Sequence, residues 1–218
     1  RLIRKFVPEE FWTITADLLA QFPPKFNAGL IKIDNKKTKI ENQKQASNIL
    51  KDLENAQFVI HEIKAKTIKR NPTPPFITSK LQQDAINRLR FSARKTMVVA
   101  QQLYEGIDIG TQGPEGLITY MRTDSIRIAA DAANEAQKFI SQTMENEFAL
   151  NKPRFFKNKN KVQDAHEAIR PTSVFNSPKM VKKFLTPDQF KLYDLIWKRF
   201  VASQMAQAII DQKTIFIQ

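Results

Sequence analysis

A phenol two residues before a guanidinium, at the end of an apolar run, is a pairing suited to phosphoryl transfer. The run is Gly116-Leu-Ile-Thr-Tyr-Met-Arg-Thr-Asp-Ser125; if it is extended, Tyr120 and Arg122 share a face. An unperturbed phenol titrates near pH ~10 and is a poor nucleophile at neutral pH. A neighbouring guanidinium favours the phenolate and neutralises an attacked phosphate. A half-buried tyrosine beside a surface arginine fits the same spacing. A second segment, Gln163-Asp-Ala-His-Glu-Ala-Ile-Arg-Pro-Thr172, sets His166 and Arg170 four residues apart. On a helix the two would project together and offer a proton donor and a fixed cation to a phosphate, with Pro171 ending the turn. A surface ion pair, or a scaffold histidine beside Glu167, fits these residues too.

The elements that must position these groups change character along the chain. Phe11–Thr15, Gly29–Ile33 and Phe58–Ile63 read as strands. Asp34-Asn35 reads as a turn, and Asn42 as the cap of a helix whose Ala46, Ile49, Leu50 and Leu53 share a face. Prolines at 72, 74 and 75 break regular structure, and helical periodicity then takes over. Thr78 or Ser79 is expected to cap a helix with Leu81, Ala85, Ile86 and Leu89 inward, and Ser92 to open another that stops at Gly106. This pair, with basic Arg88, Arg90, Arg94 and Lys95, reads equally well as a DNA-facing helix-turn-helix or as two packed core helices. Gly106–Gly116 lacks the order of a dinucleotide-binding loop and reads as a flexible loop before a short strand, Leu117–Tyr120. A helix is expected over about 129–144. Another is capped by Thr186-Pro187, with Phe190, Tyr193, Trp197 and Phe200 as core rather than a base-stacking platform.

Composition limits the partners. Thirty-five Lys and Arg against 22 Asp and Glu give a formal net charge of +13, which draws the protein toward polyanions. There is no cysteine, hence no disulfide and no thiolate zinc site, which is compatible with a cytoplasmic address. No apolar run approaches the roughly 20 residues of a membrane span. The chain begins abruptly at Arg1 and ends inside what reads as a strand, Lys213–Gln218, so a piece of a longer protein is expected.

Taken together, the two chemical segments resemble the active-site strand and helix of the type IA DNA topoisomerases. The resemblance extends to Phe6-Val-Pro-Glu-Glu-Phe-Trp12, Pro75-Phe-Ile-Thr-Ser-Lys-Leu-Gln82 and Ala100-Gln-Gln-Leu-Tyr-Glu105, in the family's order. Met121 and the run His166–Arg170 are similar to the bacterial topoisomerase I branch. The resemblance implies that Tyr120 attacks a phosphodiester of single-stranded DNA and forms a 5′-phosphotyrosine, without ATP, while negatively supercoiled duplex is relaxed. It implies that Arg122 and His166 steady the pentavalent phosphate. Thr119, Asp124, Gln101 and Glu105 are implied as neighbours of the tyrosine, and Arg170 as a phosphate or carboxylate partner. Arg122, Arg127, Arg170, Arg94 and Lys95 are the expected DNA contacts.

The family holds Mg²⁺ on an acidic Toprim domain that this chain does not contain; no Asp-x-Asp occurs, and Glu145 and Glu147 read as a solvated face. No metal site is expected in the chain itself, its Toprim partner lies in the parent protein, and the stretch alone is expected to bind DNA with little or no cleavage. The expected fold is α+β: residues 1–75 as part of a β-rich arch, 76–205 as a helical domain carrying Tyr120, and 206–218 as a returning strand. Open strand edges are expected to favour self-association. The implied location is cytoplasmic, with the nucleoid. Two alternatives stay open, a non-catalytic helix-turn-helix DNA-binding module and the topoisomerase half of a reverse gyrase. A tyrosine recombinase is disfavoured because its histidine and arginine precede the tyrosine.

Overall fold

The computed structural model of the chain describes residues 7–22, 24–110, 113–158 and 166–218, and it is mixed α+β as expected. In chain order the first elements are β1 (Thr15–Leu18), β2 (Phe26–Gly29), β3 (Lys32–Ile33), β4 (Lys36–Lys37), α1 (Gln43–Leu53) and β5 (Ile60–Arg70). Then come α2 (Thr78–Asp84), α3 (Ala93–Glu105), β6 (Ile107–Asp108), β7 (Pro114–Glu115), α4 (Ala130–Thr143), α5 (Pro178–Val181), α6 (Pro187–Ser203) and β8 (Ala208–Ile217). Two compact units divide the chain, Arg1–Thr67 with Asp211–Gln218, and Ile68–Ile210.

In the first unit β1 pairs antiparallel with β2, and β3 with β4 across Asp34 and Asn35. Both turn residues take positive φ, 49° and 63°, the left-handed pair that a two-residue hairpin demands and that Asp and Asn tolerate. The strand expected over Phe11–Thr15 is displaced: Trp12 makes only an isolated bridge to Ile40, and the ladder begins at Thr15. Gly29–Ile33 is broken rather than continuous. Leu30 turns toward the cluster of Ile14, Ile40 and Ala46, while Lys32 and Ile33 leave to form the next hairpin. The Asn42 side chain accepts from the Gln45 amide at 3.0 Å and starts α1. Ile49 and Leu53 join the cluster, but Leu50 is 48% exposed, because it sits on the edge of the apolar stripe away from Ile49. β5 pairs with β8; just beyond their ends Val59 and Gln218 exchange both backbone hydrogen bonds, the antiparallel pattern. Further along this ribbon the Thr67 hydroxyl donates to the Asp211 carboxylate at 2.9 Å.

In the second unit the core forms around α2, α3 and α6. Leu81, Leu103, Leu192 and Ile196 are fully buried there, together with Leu117, Ile118, Met121 and Ile169 from the two chemical segments. A second cluster under α4 holds Ala133, Ala136, Ile140, Val174 and Phe200. The Ser92 hydroxyl accepts from Lys95 and starts α3, and Thr186 forms a full capping box with Gln189 at the start of α6. The α6 aromatics are core, as the spacing implies: Tyr193 and Phe200 are buried, and Trp197 donates to the Val174 carbonyl at 2.9 Å. Phe190 is half-buried beneath the Lys182 ammonium.

Three local expectations are corrected. α2 runs into a π-helical turn at Ala85–Leu89 and ends at Arg90 with φ +59°, so the stripe shifts register and Ile86 is 43% exposed. The glycine-rich stretch is in part a small hairpin, with Ile107 opposite Glu115 and Asp108 opposite Pro114. Gly106 makes this approach feasible, since at φ +124° a Cβ there would also press on Pro114 at 3.1 Å. Leu117–Tyr120 is not a sheet strand; it carries one isolated bridge, Ile118 to Pro171. Among the described residues no helix is long and apolar enough to cross a membrane.

Candidate active site

The chain has three tyrosines, and burial separates them. Tyr193 is fully buried and donates its hydroxyl to the Asn176 carbonyl at 2.6 Å. Burial pushes its phenol well above the usual range, with Glu115 and Glu135 adding to the effect, so it stays protonated and unavailable as a nucleophile. Tyr104 and Tyr120 are 41% and 36% exposed. Of these, Tyr120 lines an open cleft with Arg122, Asp124 and His166.

Side chains alternate along the Tyr120 segment even without a ladder: Tyr120, Arg122 and Asp124 face outward while Met121, Thr123 and Ser125 are buried. Hydroxyl groups hold the segment in place. Thr78, expected as a cap, is the first residue of α2, and Ile77 occupies the cap position. The Thr78 hydroxyl instead donates to the Met121 carbonyl at 2.8 Å and accepts from the Thr123 amide at 2.9 Å, and the Thr78 amide donates to the Thr123 carbonyl. On the other flank the Thr119 hydroxyl donates to the Ala168 carbonyl at 2.8 Å and accepts from the Arg170 amide at 3.0 Å.

The expectation of a helix through His166 and Arg170 is overturned. Residues 166–172 form no helix; the Ile169 amide donates to the Phe76 carbonyl, the Thr119 amide to the Arg170 carbonyl and the Thr172 amide to the Leu117 carbonyl. Pro171 disfavours a helical Arg170, and these neighbouring segments satisfy the backbone instead. His166 and Arg170 therefore part company. The His166 ring lies 5.3 Å from the Tyr120 ring between centroids. Arg170, its side chain 12% exposed, pairs with Glu167 at 2.8 Å and donates to the Pro171 carbonyl.

The other sequence candidates are placed differently from one another. Arg122 has no ion-pair partner among the described residues, which leaves its donors available to an incoming anion. Gln101 donates to Glu105 on α3, on either side of Tyr104, whose ring meets the Tyr120 ring edge-on at 5.5 Å. Thr119 is a fastener between segments. The Arg127 carbonyl accepts from Ala168. Arg94 and Lys95 are at the far end of α3, about 15 Å along the helix from Tyr104, and Lys95 is paired with Asp188 at 2.7 Å and lies over Phe91. Sequence reasoning did not assign Ile77, Ser79 and Gln82, which line the cleft, or Tyr104 to the site. The signal for them was their place in the stretches Pro75–Gln82 and Ala100–Glu105. Among the described residues Asp124 is the one carboxylate lining the cleft, and no three metal-ligating side chains gather.

Gly116 sets the closest approach in this frame. The Leu117 amide donates to the Leu103 carbonyl at 2.7 Å, and a Cβ at Gly116 would come 2.7 Å from the Tyr104 carbonyl oxygen. Gly116→Ala is expected to push the 117–120 segment off α3 and cost about 1–3 kcal/mol. Urea unfolding of this chain measures it against Gly29→Ala, where no atom lies within 4 Å of the new methyl. Equal midpoints for the two variants would contradict the tight approach.

An exposed phenol thus shares one cleft with a guanidinium and an imidazole, beside a helical core. The chain belongs to the DNA topoisomerase family, whose model matches residues 1–218. Its fold is similar to full-length topoisomerase I from Thermotoga maritima, with 36% sequence identity and a TM-score of 0.75. That match covers 99% of this chain and 33% of the Thermotoga protein, so the chain spans about one third of the length of that relative.

Proposed function

We propose that this chain is the part of a bacterial type IA DNA topoisomerase that carries the strand-cleaving tyrosine. The observation that carries the reading is Tyr120: an exposed phenol on a rigidly fastened segment, in one cleft with Arg122 and His166. The phenol oxygen attacks a backbone phosphorus of single-stranded DNA. One P–O bond forms to Tyr120 as the bond to the 3′ oxygen breaks, so the bond count is conserved and no ATP is consumed. Arg122 donates to the non-bridging oxygens, where negative charge builds. His166, in the same cleft, would donate a hydrogen bond to that phosphate; the phenol gives up its proton as it attacks, and the departing 3′ oxygen takes up one proton and leaves as a hydroxyl, so no net proton is gained or lost. Reversal by that hydroxyl reseals the strand after another has passed. In this reading unit Ile68–Ile210 is the tyrosine-bearing helical domain and the strands of the other unit belong to the arch. Mg²⁺, bound on a separate Toprim domain, would supply further charge neutralisation from outside this chain.

The test uses a protein containing this stretch together with its Toprim domain, with Mg²⁺ and single-stranded oligonucleotide labelled at one end or the other, stopped in denaturant. The expected result is a covalent adduct that retains the label on the 3′ side, with the nucleotide mapped to Tyr120. A folded protein that binds the oligonucleotide yet forms no adduct, or forms one on another residue, would remove the reading.

A further inference from the structure

Tyr104 has no part in the reaction as proposed, yet its ring touches the nucleophile. We infer that Tyr104 is a positioning residue for strand cleavage, its ring holding the Tyr120 ring in the attacking orientation; the inference rests on the proposed role of Tyr120. Three observations carry it. The ring centroids are 5.5 Å apart at 65°, an edge contact of the favourable kind. The backbones of the two tyrosines are clamped close to the contact, by the Leu117 amide on the Leu103 carbonyl and by Gly116 against the Tyr104 carbonyl, so the ring spacing is fixed by the frame. Among the described residues the other ring neighbour of Tyr120 is His166, on a different segment. A phenol that is 36% exposed, in a stretch without regular structure, would otherwise exchange between rotamers. Each wall that narrows its choice raises the fraction of time the oxygen is in line with the phosphate.

The ring, not the hydroxyl, is the working part. Tyr104 makes no hydrogen bond through its hydroxyl among the described residues, whereas its neighbours Gln101 and Glu105 bond to each other. Its 41% exposure also makes it a minor contributor to the core, so truncation should not unfold the helix.

The experiment compares wild type, Tyr104→Ala and Tyr104→Phe in the Toprim-containing protein, under single turnover with labelled single-stranded oligonucleotide, and measures oligonucleotide affinity separately. Tyr104→Ala is expected to slow adduct formation about 2- to 10-fold, the range one aromatic contact supports, with affinity unchanged. Tyr104→Phe is expected to restore the wild-type rate. Wild-type rates in both variants overturn the inference. Equal slowing in both overturns it in favour of a role for the hydroxyl, and a weakened affinity that accounts for the slower rate overturns it in favour of a DNA contact. A wild-type protein that forms no adduct at Tyr120 is a different failure: it removes the underlying reading, and this role with it.

Discussion

Tyr120→Phe is expected to abolish the covalent adduct, a loss of at least about 10³-fold, while oligonucleotide affinity stays within about 2-fold and stability within about 0.5 kcal/mol. The expectation follows from what the oxygen does and does not do in the fold. The ring meets Tyr104 and His166, and phenylalanine keeps both contacts. The hydroxyl has no hydrogen-bond partner among the described residues, so deleting it orphans nothing. Only the nucleophilic oxygen is lost, and a carbon–hydrogen bond cannot replace it. Tyr193→Phe is the informative opposite: it should retain the adduct and lose about 1 kcal/mol of stability, because its hydroxyl serves the Asn176 carbonyl in the core. Adduct formation by Tyr120→Phe would move the nucleophile elsewhere.

The largest stability effect is expected at Phe76. Its ring is 1% exposed, it lies in the core cluster with Leu81, Met121 and Ile169, and the Arg199 guanidinium stacks on it at 4.4 Å while also bonding Asp84 at 2.6 Å and Thr73 at 2.7 Å. Phe76→Ala opens a cavity and removes the cation–π partner, at a cost of about 3–5 kcal/mol. That is a large share of the roughly 5–15 kcal/mol that holds a domain together, and it should lower the urea midpoint by about 2 M. Phe76→Leu, which refills most of the volume, should cost less than half as much. A loss under about 1 kcal/mol for Phe76→Ala would mean that the ring is not enclosed.

Local rules made part of this molecule legible from its residues alone. Asn42, Ser92 and Thr186 each cap the helix expected of them, and Asp34-Asn35 makes its turn, because these features depend on a few adjacent residues. Tyr120, Arg122, Asp124 and His166, singled out by residue type and by the family resemblance, line one cleft. What was hidden depends on partners distant in sequence. Thr78 has a cap's side chain, but Met121 and Thr123 claim it. His166 and Arg170 have a helix's spacing, but Phe76, Leu117 and Thr119 claim their backbone, and the arginine turns to Glu167. Tyr104 is one residue of the stretch Ala100–Glu105 until α3 is set against the segment that follows it. The slipped register after Asp84 is a further case, since a π-turn leaves no mark in the periodicity that precedes it.

The ribbon of β5 and β8 carries one more consequence, for the way the chain is assembled. Thr67 and Asp211 are bonded to each other, and everything from Ile68 to Ile210 departs and returns between them. In topological terms the tyrosine-bearing unit is an insertion whose two ends leave from a single point. A segment anchored in this way has its two exchange points side by side, and swapping it between relatives by one cut at each would transfer Tyr120, Arg122 and His166 together.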